Sequence, residues 1–248
     1  MPRIFPALLV FALSCSPVHA GELIVSAAAS LTNAFRDLGK SYEDAHPGDR
    51  ITFNFAASDV LLSQIANGAP VDIFASADKE TMDRAETQSL LAAGSRRVLL
   101  TNSLVLIVPV GSKAALTGLA GLDRPAIRRI AIGDPASVPA GRYARKALEQ
   151  AQLWSKLEPR YVLALNVRQC LDYVARAEAD AGLVYATDAA IMPDKVRVAA
   201  TVPTLKPIVY PIALIKGTKN PALAESFLIY LSSGSSRAVF KRYGFGQP

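Results

Sequence analysis

Cysteine and histidine are nearly missing from this sequence, with two of each in 248 residues. Cys15 and His19 fall in the first twenty residues, which leaves Cys170 and His46 for the rest. A lone cysteine forms no internal disulfide, so a disulfide scaffold is excluded. One histidine and one cysteine do not make a His/Cys metal site, and His46 precedes Pro47-Gly48 in an expected loop. There is no G-x-S-x-G elbow and no histidine placed to serve a serine nucleophile. Walker A and G-x-G-x-x-G patterns are also missing. The single Trp154 and the scattered tyrosines offer no stacking platform for nucleic acid or sugars. The formal net charge of +6 is spread along the chain and reads as solvated surface, not as a nucleic-acid face. No enzyme chemistry and no cofactor are expected.

One apolar run stands out at the start. Residues 1–20, MPRIFPALLVFALSCSPVHA, combine Arg3, an apolar stretch over 4–13, Ser16-Pro17, and the small-x-small ending Val18-His19-Ala20. That is the layout of a secretory signal peptide with cleavage after Ala20. The stretch is too short to span a bilayer. Lipidation at Cys15 is the second reading, and Ala12-Leu13-Ser14-Cys15 is a poor lipobox. Cleavage would leave 228 residues and a charge of +5. That is a soluble, exported chain long enough for one large domain or two small ones.

After residue 20 the pattern alternates. Strands are expected at 22–27, 50–55, 71–75, 103–110, 130–133, 161–165, 182–185, 196–200 and 208–215. Helices are expected at 31–45, 59–67, 79–91, 142–152, 168–177, 222–231 and 236–243. In the first helix Leu31, Ala34, Phe35, Leu38 and Tyr42 recur at helical spacing, which predicts one buried face. Such βαβ alternation implies mainly parallel sheets covered by helices. With no internal repeat and no long linker, two lobes would need more than one crossing. The apolar strands 103–110 and 208–215 are the natural crossing points. One sheet of the same elements is the alternative.

Several helices begin alike. Ser30 precedes Leu31, Ser58 precedes Asp59, Pro139-Ala140-Gly141 precedes Arg142, and Asn166 precedes Val167. In α/β sheets these points lie at strand carboxyl ends, where ligands bind. A helix start offers unpaired N–H groups and roughly half a positive charge, so four aimed together would amount to about +2. Ala27-Ala28-Ala29, Ala56-Ala57 and Ala140-Gly141 would let an oxyanion approach the backbone. Taken singly, each is an ordinary cap. Pattern alone therefore leaves two readings, structural caps or an anion site. Asp72, Asp78, Asp134 and Asp188 sit near strand ends and read as caps, turns or surface charges. Cys170, beside Leu171 and Val174, reads as a small buried hydrophobe.

The stretches SAAASLTNAF, SQIANGAPVDIFASAD, NSLVLIVP, IAIGDPASVPAGRYARKAL and GLVYATDA together resemble the periplasmic molybdate-binding proteins of bacterial ABC transporters. The likeness runs from Glu22 to the closing FKRYGF. It implies an α/β, two-lobed fold of the periplasmic binding protein type II. Lobe I would comprise 21–101 plus 208–248, and lobe II 102–207. It implies a periplasmic monomer that captures molybdate, and with it tungstate, for a membrane permease. The ligand residues it implies are Ser30, Ser58, Ala140, Val167 and Tyr185, all neutral donors. Molybdenum would enter only as the oxyanion. Tyr185 is the one that helix starts do not point to. The family often carries small hydroxyl residues around the second serine, where this chain has Ala57-Ser58-Asp59. Asp59 is expected to face solvent, since an inward carboxylate would repel a dianion. The rival readings are another oxyanion such as sulfate, or a metal ion held by Tyr185, Tyr210 and Asp188.

Overall fold

The computed structural model describes residues 21–248, so the expected signal segment, with Cys15 and the bond after Ala20, lies outside the described residues. The elements in chain order are β1 (Glu22–Ala28), a 3₁₀ turn (Ala29–Leu31), α1 (Thr32–Ala45), β2 (Arg50–Ala56), α2 (Ser58–Ala66), β3 (Ile73–Ala75), α3 (Lys79–Thr87), β4 (Arg97–Asn102) and β5 (Leu104–Pro109). There follow β6 (Ile130–Gly133), α4 (Pro139–Gln150), α5 (Trp154–Leu157), β7 (Tyr161–Ala164), α6 (Val167–Ala175), β8 (Ala181–Tyr185) and α7 (Ala186–Ala189). The chain closes with β9 (Val196–Val202), β10 (Ile208–Leu214), α8 (Pro221–Leu231) and α9 (Gly234–Arg242).

Two five-stranded sheets result, ordered β2-β1-β3-β10-β4 and β7-β6-β8-β5-β9. In the first, β1 pairs in parallel with β2 and β3, while β10 runs antiparallel to β3 and β4. The second repeats the plan: β6 is parallel to β7 and β8, and β5 is antiparallel to β8 and β9. The one reversed strand of each sheet, β5 or β10, is the strand by which the chain enters from the other sheet. The crossings therefore lie in the connections before β5 and β10, not within those strands. The connection into β5 is a single residue, Ser103.

The apolar stripe of α1 is buried as its spacing predicts: Leu31, Ala34, Phe35, Leu38 and Tyr42 are each at most 1% exposed. Differences from the expected elements have local causes. β4 was not expected, because its half-buried edge sequence RVLLTN runs on into the next apolar strand without a glycine or proline break. α3 ends at Thr87 instead of 91, with Ser89 at a positive φ of 56° just beyond it. β3 starts at Ile73 because Asp72 turns its carboxylate to the Ile24 N–H at 2.8 Å. α4 starts at Pro139, three residues early, since proline suits the first helical position. Among the described residues, no helix is long and apolar enough to cross a membrane.

Candidate oxyanion site

The carboxyl ends of β1, β2 and β3 in the first sheet and of β6, β7 and β8 in the second meet at one small cavity. From the first sheet come Ala28 at the end of β1 with Ala29 and Ser30 beyond it, Ala56 at the end of β2 with Ala57 and Ser58 beyond it, and Ala77 after β3. From the second come Val138, Pro139 and Ala140 after β6, Asn166 and Val167 after β7, and Tyr185 at the end of β8. All five residues singled out from the sequence are thus brought together. They are buried, with Ser58 at 0% exposure and Val167, the most open, at 4%. The cavity is small, with about 10 Å³ open to the centre of a water-sized sphere, far below the roughly 300–1,000 Å³ that organic ligands fill. No charged side chain lines it, and six alanines do. Their methyl groups leave the backbone close to the cavity.

The serines are not caps, which corrects the expectation. Ser30 lies inside the 3₁₀ turn, and Ser58 is the first residue of α2 with Ala57 in the cap position. Neither cap position carries a side-chain hydrogen bond. Their hydroxyls are therefore not spent on their own helices. Ser58 Oγ accepts the Ala77 N–H at 3.0 Å, so its own proton can turn to the cavity. Ser30 Oγ lies 3.0 Å from Tyr210 Oη, which in turn accepts from Asn102 Nδ2 at 3.0 Å. Either hydroxyl can donate in the Ser30–Tyr210 bond; when the phenol donates, the serine proton is left for the cavity. Sequence reasoning did not assign Asn102 or Tyr210 to this network, because neither lies near Ser30 in the chain.

Backbone amides complete the donor set. The ladder of α2 begins with Leu61 N–H to Ala57 O at 3.1 Å, so the amides of Ser58, Asp59 and Val60 precede it. In α4 it begins with Arg142 N–H to Val138 O at 3.1 Å, after the Ala140 amide. In α6, Asn166 does cap: its Oδ1 accepts from Arg168 N and Gln169 N at 3.0 Å, which leaves the Val167 amide ahead of both. Two glycines allow this closeness. A Cβ on Gly141 would lie 1.9 Å from the Gly133 carbonyl oxygen, and one on Gly133 would lie 2.5 Å from Val138 Cγ1. Only bare backbone lets the start of α4 sit on the end of β6.

Tyr185 is the last residue of β8, as its strand reading predicts, and it stands in the cap position of the one-turn α7 without a side-chain cap bond. Its Oη donates to the Ala77 carbonyl at 3.2 Å, tying the second sheet to the first. In this arrangement the phenol proton serves Ala77 and must turn to serve a ligand. Arg168 makes another tie, donating to Ser30 O at 3.1 Å and Asn33 Oδ1 at 2.8 Å while Nε lies 2.6 Å from buried Asp188.

Asp59 does not face solvent. Its side chain is 10% exposed and pairs with Arg142 at 2.6 Å and with Arg84. The cause is long-range: both arginines arrive from other helices. The four acids near strand ends have structural partners. Asp78 caps α3 through Thr81 N, Asp134 accepts Ala136 N, Asp72 accepts Ile24 N, and Asp188 faces Arg168. The tyrosine-and-carboxylate metal reading fits poorly. Tyr185 and Tyr210 pack edge to face with centroids 5.7 Å apart. Burial pushes both phenols well above their ordinary pKa, against the phenolate a ferric ion needs. Asp188 is turned to Arg168.

Two five-stranded sheets whose strand ends meet at a donor-lined cavity are the plan of a protein that holds a small solute. Residues 23–246 match the model of the bacterial extracellular solute-binding proteins, and the chain belongs to that family. It is 37% identical over 250 residues, 99% of this chain and 98% of the relative, to the molybdate-binding protein ModA of Haemophilus influenzae. Among solved structures, the periplasmic molybdate-binding protein of Azotobacter vinelandii superposes with a TM-score of 0.78 at 26% identity, covering 91% of this chain and 99% of that one. The sulfate-binding protein SubI of Mycobacterium tuberculosis gives 0.80 at 14% identity, covering 91% and 86%, a likeness of fold alone.

Proposed function

We propose that this protein captures molybdate, and tungstate with it, outside the cytoplasm and hands it to the membrane permease of an ABC transporter. The observation that carries this reading is the convergence of Ser30, Ser58, Ala140, Val167 and Tyr185 on one small cavity without a charged side chain. In the proposed complex Ser30 and Ser58 donate by hydroxyl and N–H, Ala140 and Val167 by N–H, and Tyr185 by hydroxyl. Lobe I comprises 21–101 plus 208–248 and lobe II 102–207, and the mature protein, released after Ala20, acts as a monomer.

The selection principle is donors and size. A dianion taken out of water is stable only if its oxygens are hydrogen-bonded, and bonds from neutral donors to an anion are charge-assisted. No lining side chain is a carboxylate that could accept a ligand proton, so monohydrogen phosphate is rejected. Sulfate matches in charge and oxygen number, and cavity size must exclude it. Lobe closure buries the ion and presents one closed surface to the permease.

Calorimetry tests the reading. Molybdate should bind tightly and sulfate and phosphate weakly or not at all. Ser30→Ala should cost about 1–3 kcal/mol of molybdate affinity, the worth of one bond to a charged group. Sulfate binding as tightly as molybdate would replace the ion in this reading, and unchanged affinity in Ser30→Ala would remove the site.

A further inference from the structure

Arg142 lies outside the cavity lining and inside an ion-pair cluster that spans the cleft. It projects from the first turn of α4, on the second sheet. Its Nη1 reaches Asp59 Oδ2 at 2.6 Å, on α2 of the first sheet. Its Nη2 and Nε reach Asp78 Oδ2 at 2.5 and 3.0 Å, at the cap of α3. Nη2 also donates to Thr81 Oγ1 at 2.8 Å, and that hydroxyl donates to Asp59 Oδ1 at 2.6 Å. The three charged side chains are 11%, 10% and 5% exposed. Burial works to lower the guanidinium pKa, but Asp78 and Asp59 outweigh it and raise it overall.

The placement gives the cluster its meaning. Asp59 follows the lining residue Ser58, Asp78 follows Ala77, and Arg142 stands two residues after Ala140. Two carboxylates so close to an anion cavity would oppose a dianion, and in a site shielded from water that opposition is strong. Paired with Arg142 they become a tie between the lobes. The neighbouring pair Lys146–Glu80, 3.3 Å apart and with both side chains more than half exposed, is screened by solvent.

We propose that Arg142 is a positioning residue for anion capture: by bridging Asp59 and Asp78 it clasps the closed lobes and, together with Arg84 on Asp59, balances the two negative charges beside the cavity. The proposal rests on the anion reading of that cavity. Arg142 never touches the ion; it acts through the carboxylates.

The test is titration of sodium molybdate into wild type, Arg142→Gln, the triple variant Arg142→Gln/Asp59→Asn/Asp78→Asn, and Lys146→Ala, at low and high sodium chloride. Arg142→Gln should lose about tenfold or more in affinity at low salt, as truncation of a buried charge pair does, and most of the loss should persist at high salt, because buried charges are screened little. The triple variant should return to within about threefold of wild type, because no unpaired carboxylate remains. Lys146→Ala should stay within about twofold. Arg142→Gln binding like wild type overturns the clasp. So does a loss that the triple variant does not rescue, which marks a merely structural role. If Arg142→Gln does not fold, Arg142→Lys decides: it keeps the charge without the fork, and wild-type affinity there overturns the bridging. If wild type itself takes up no molybdate, the reading of the cavity fails. The clasp is then decided by small-angle X-ray scattering of the ligand-free proteins, where an expanded Arg142→Gln supports it and equal radii overturn it.

Discussion

Tyr210 holds Ser30 by a hydroxyl–hydroxyl hydrogen bond of 3.0 Å across 180 residues of chain. Asn102 donates to the phenol from the other side, and also to Thr187 Oγ1 at 2.9 Å. When the phenol donates in this relay, the serine proton is left for the cavity. Tyr210→Phe should therefore keep the fold, since Asn102 retains Thr187, yet weaken molybdate binding. The expected loss is about 1 kcal/mol, the worth of one neutral hydrogen bond, read by calorimetry against an unchanged circular dichroism spectrum. Full affinity in this variant would mean that Ser30 needs no such support.

Gly141 is a packing requirement. Alanine there would bring a Cβ to 1.9 Å from the Gly133 carbonyl oxygen, so the start of α4 must move and take the Ala140 amide with it. Gly141→Ala should lose about 1–3 kcal/mol of stability together with molybdate affinity. Gly234→Ala is the control: a Cβ there meets nothing within 4 Å, and its effect should stay within about 0.5 kcal/mol. Chemical denaturation of both variants checks the pair.

Asp188 carries a pH signature. Burial pushes its carboxyl up from 3.8 to about 6, with Arg168 pulling it back only in part. A carboxyl whose folded pKa is raised binds its proton more tightly when folded. Stability from this group is thus complete below the unfolded value and lost as pH rises to about 6, by up to about 3 kcal/mol. Thermal unfolding of wild type should decline over that window, while Asp188→Asn should lack this component. A carbon-13 titration placing Asp188 below 4 would contradict the assignment.

Cys170 should be chemically silent. It is fully buried, burial pushes its thiol far up, and its Sγ sits 3.5 Å from the Leu183 carbonyl. An aromatic disulfide reagent should leave the folded protein unlabelled and react with this thiol once denaturant opens the chain. Rapid labelling of the native protein would contradict this placement.

Much of the site could be read from local pattern. The alanine runs at 27–29 and 56–57, and the Pro139-Ala140-Gly141 start of α4, marked where backbone would be bare. They line the cavity or pack beside it because a helix start with no side chain in the way is itself the binding feature. Asn166 marks a helix start in the sequence because a cap is a property of three or four consecutive residues, and the structure makes it a cap. Tyr185 entered through family resemblance, since a tyrosine at a strand end has no local signature. β4 escaped because an edge strand buries only part of its face and shows weak alternation.

Residue order alone determined the βαβ alternation, the apolar face of α1 and the small-residue helix starts, all products of steric and solvation preferences that act over a few residues. Tertiary structure decided the two-sheet plan with one reversed strand each, the Asn102–Tyr210–Ser30 relay, and the turning of Asp59 from solvent to Arg142. Those depend on which strand ends face each other after the chain has crossed between sheets twice. No local periodicity encodes an encounter between side chains 83 or 180 residues apart.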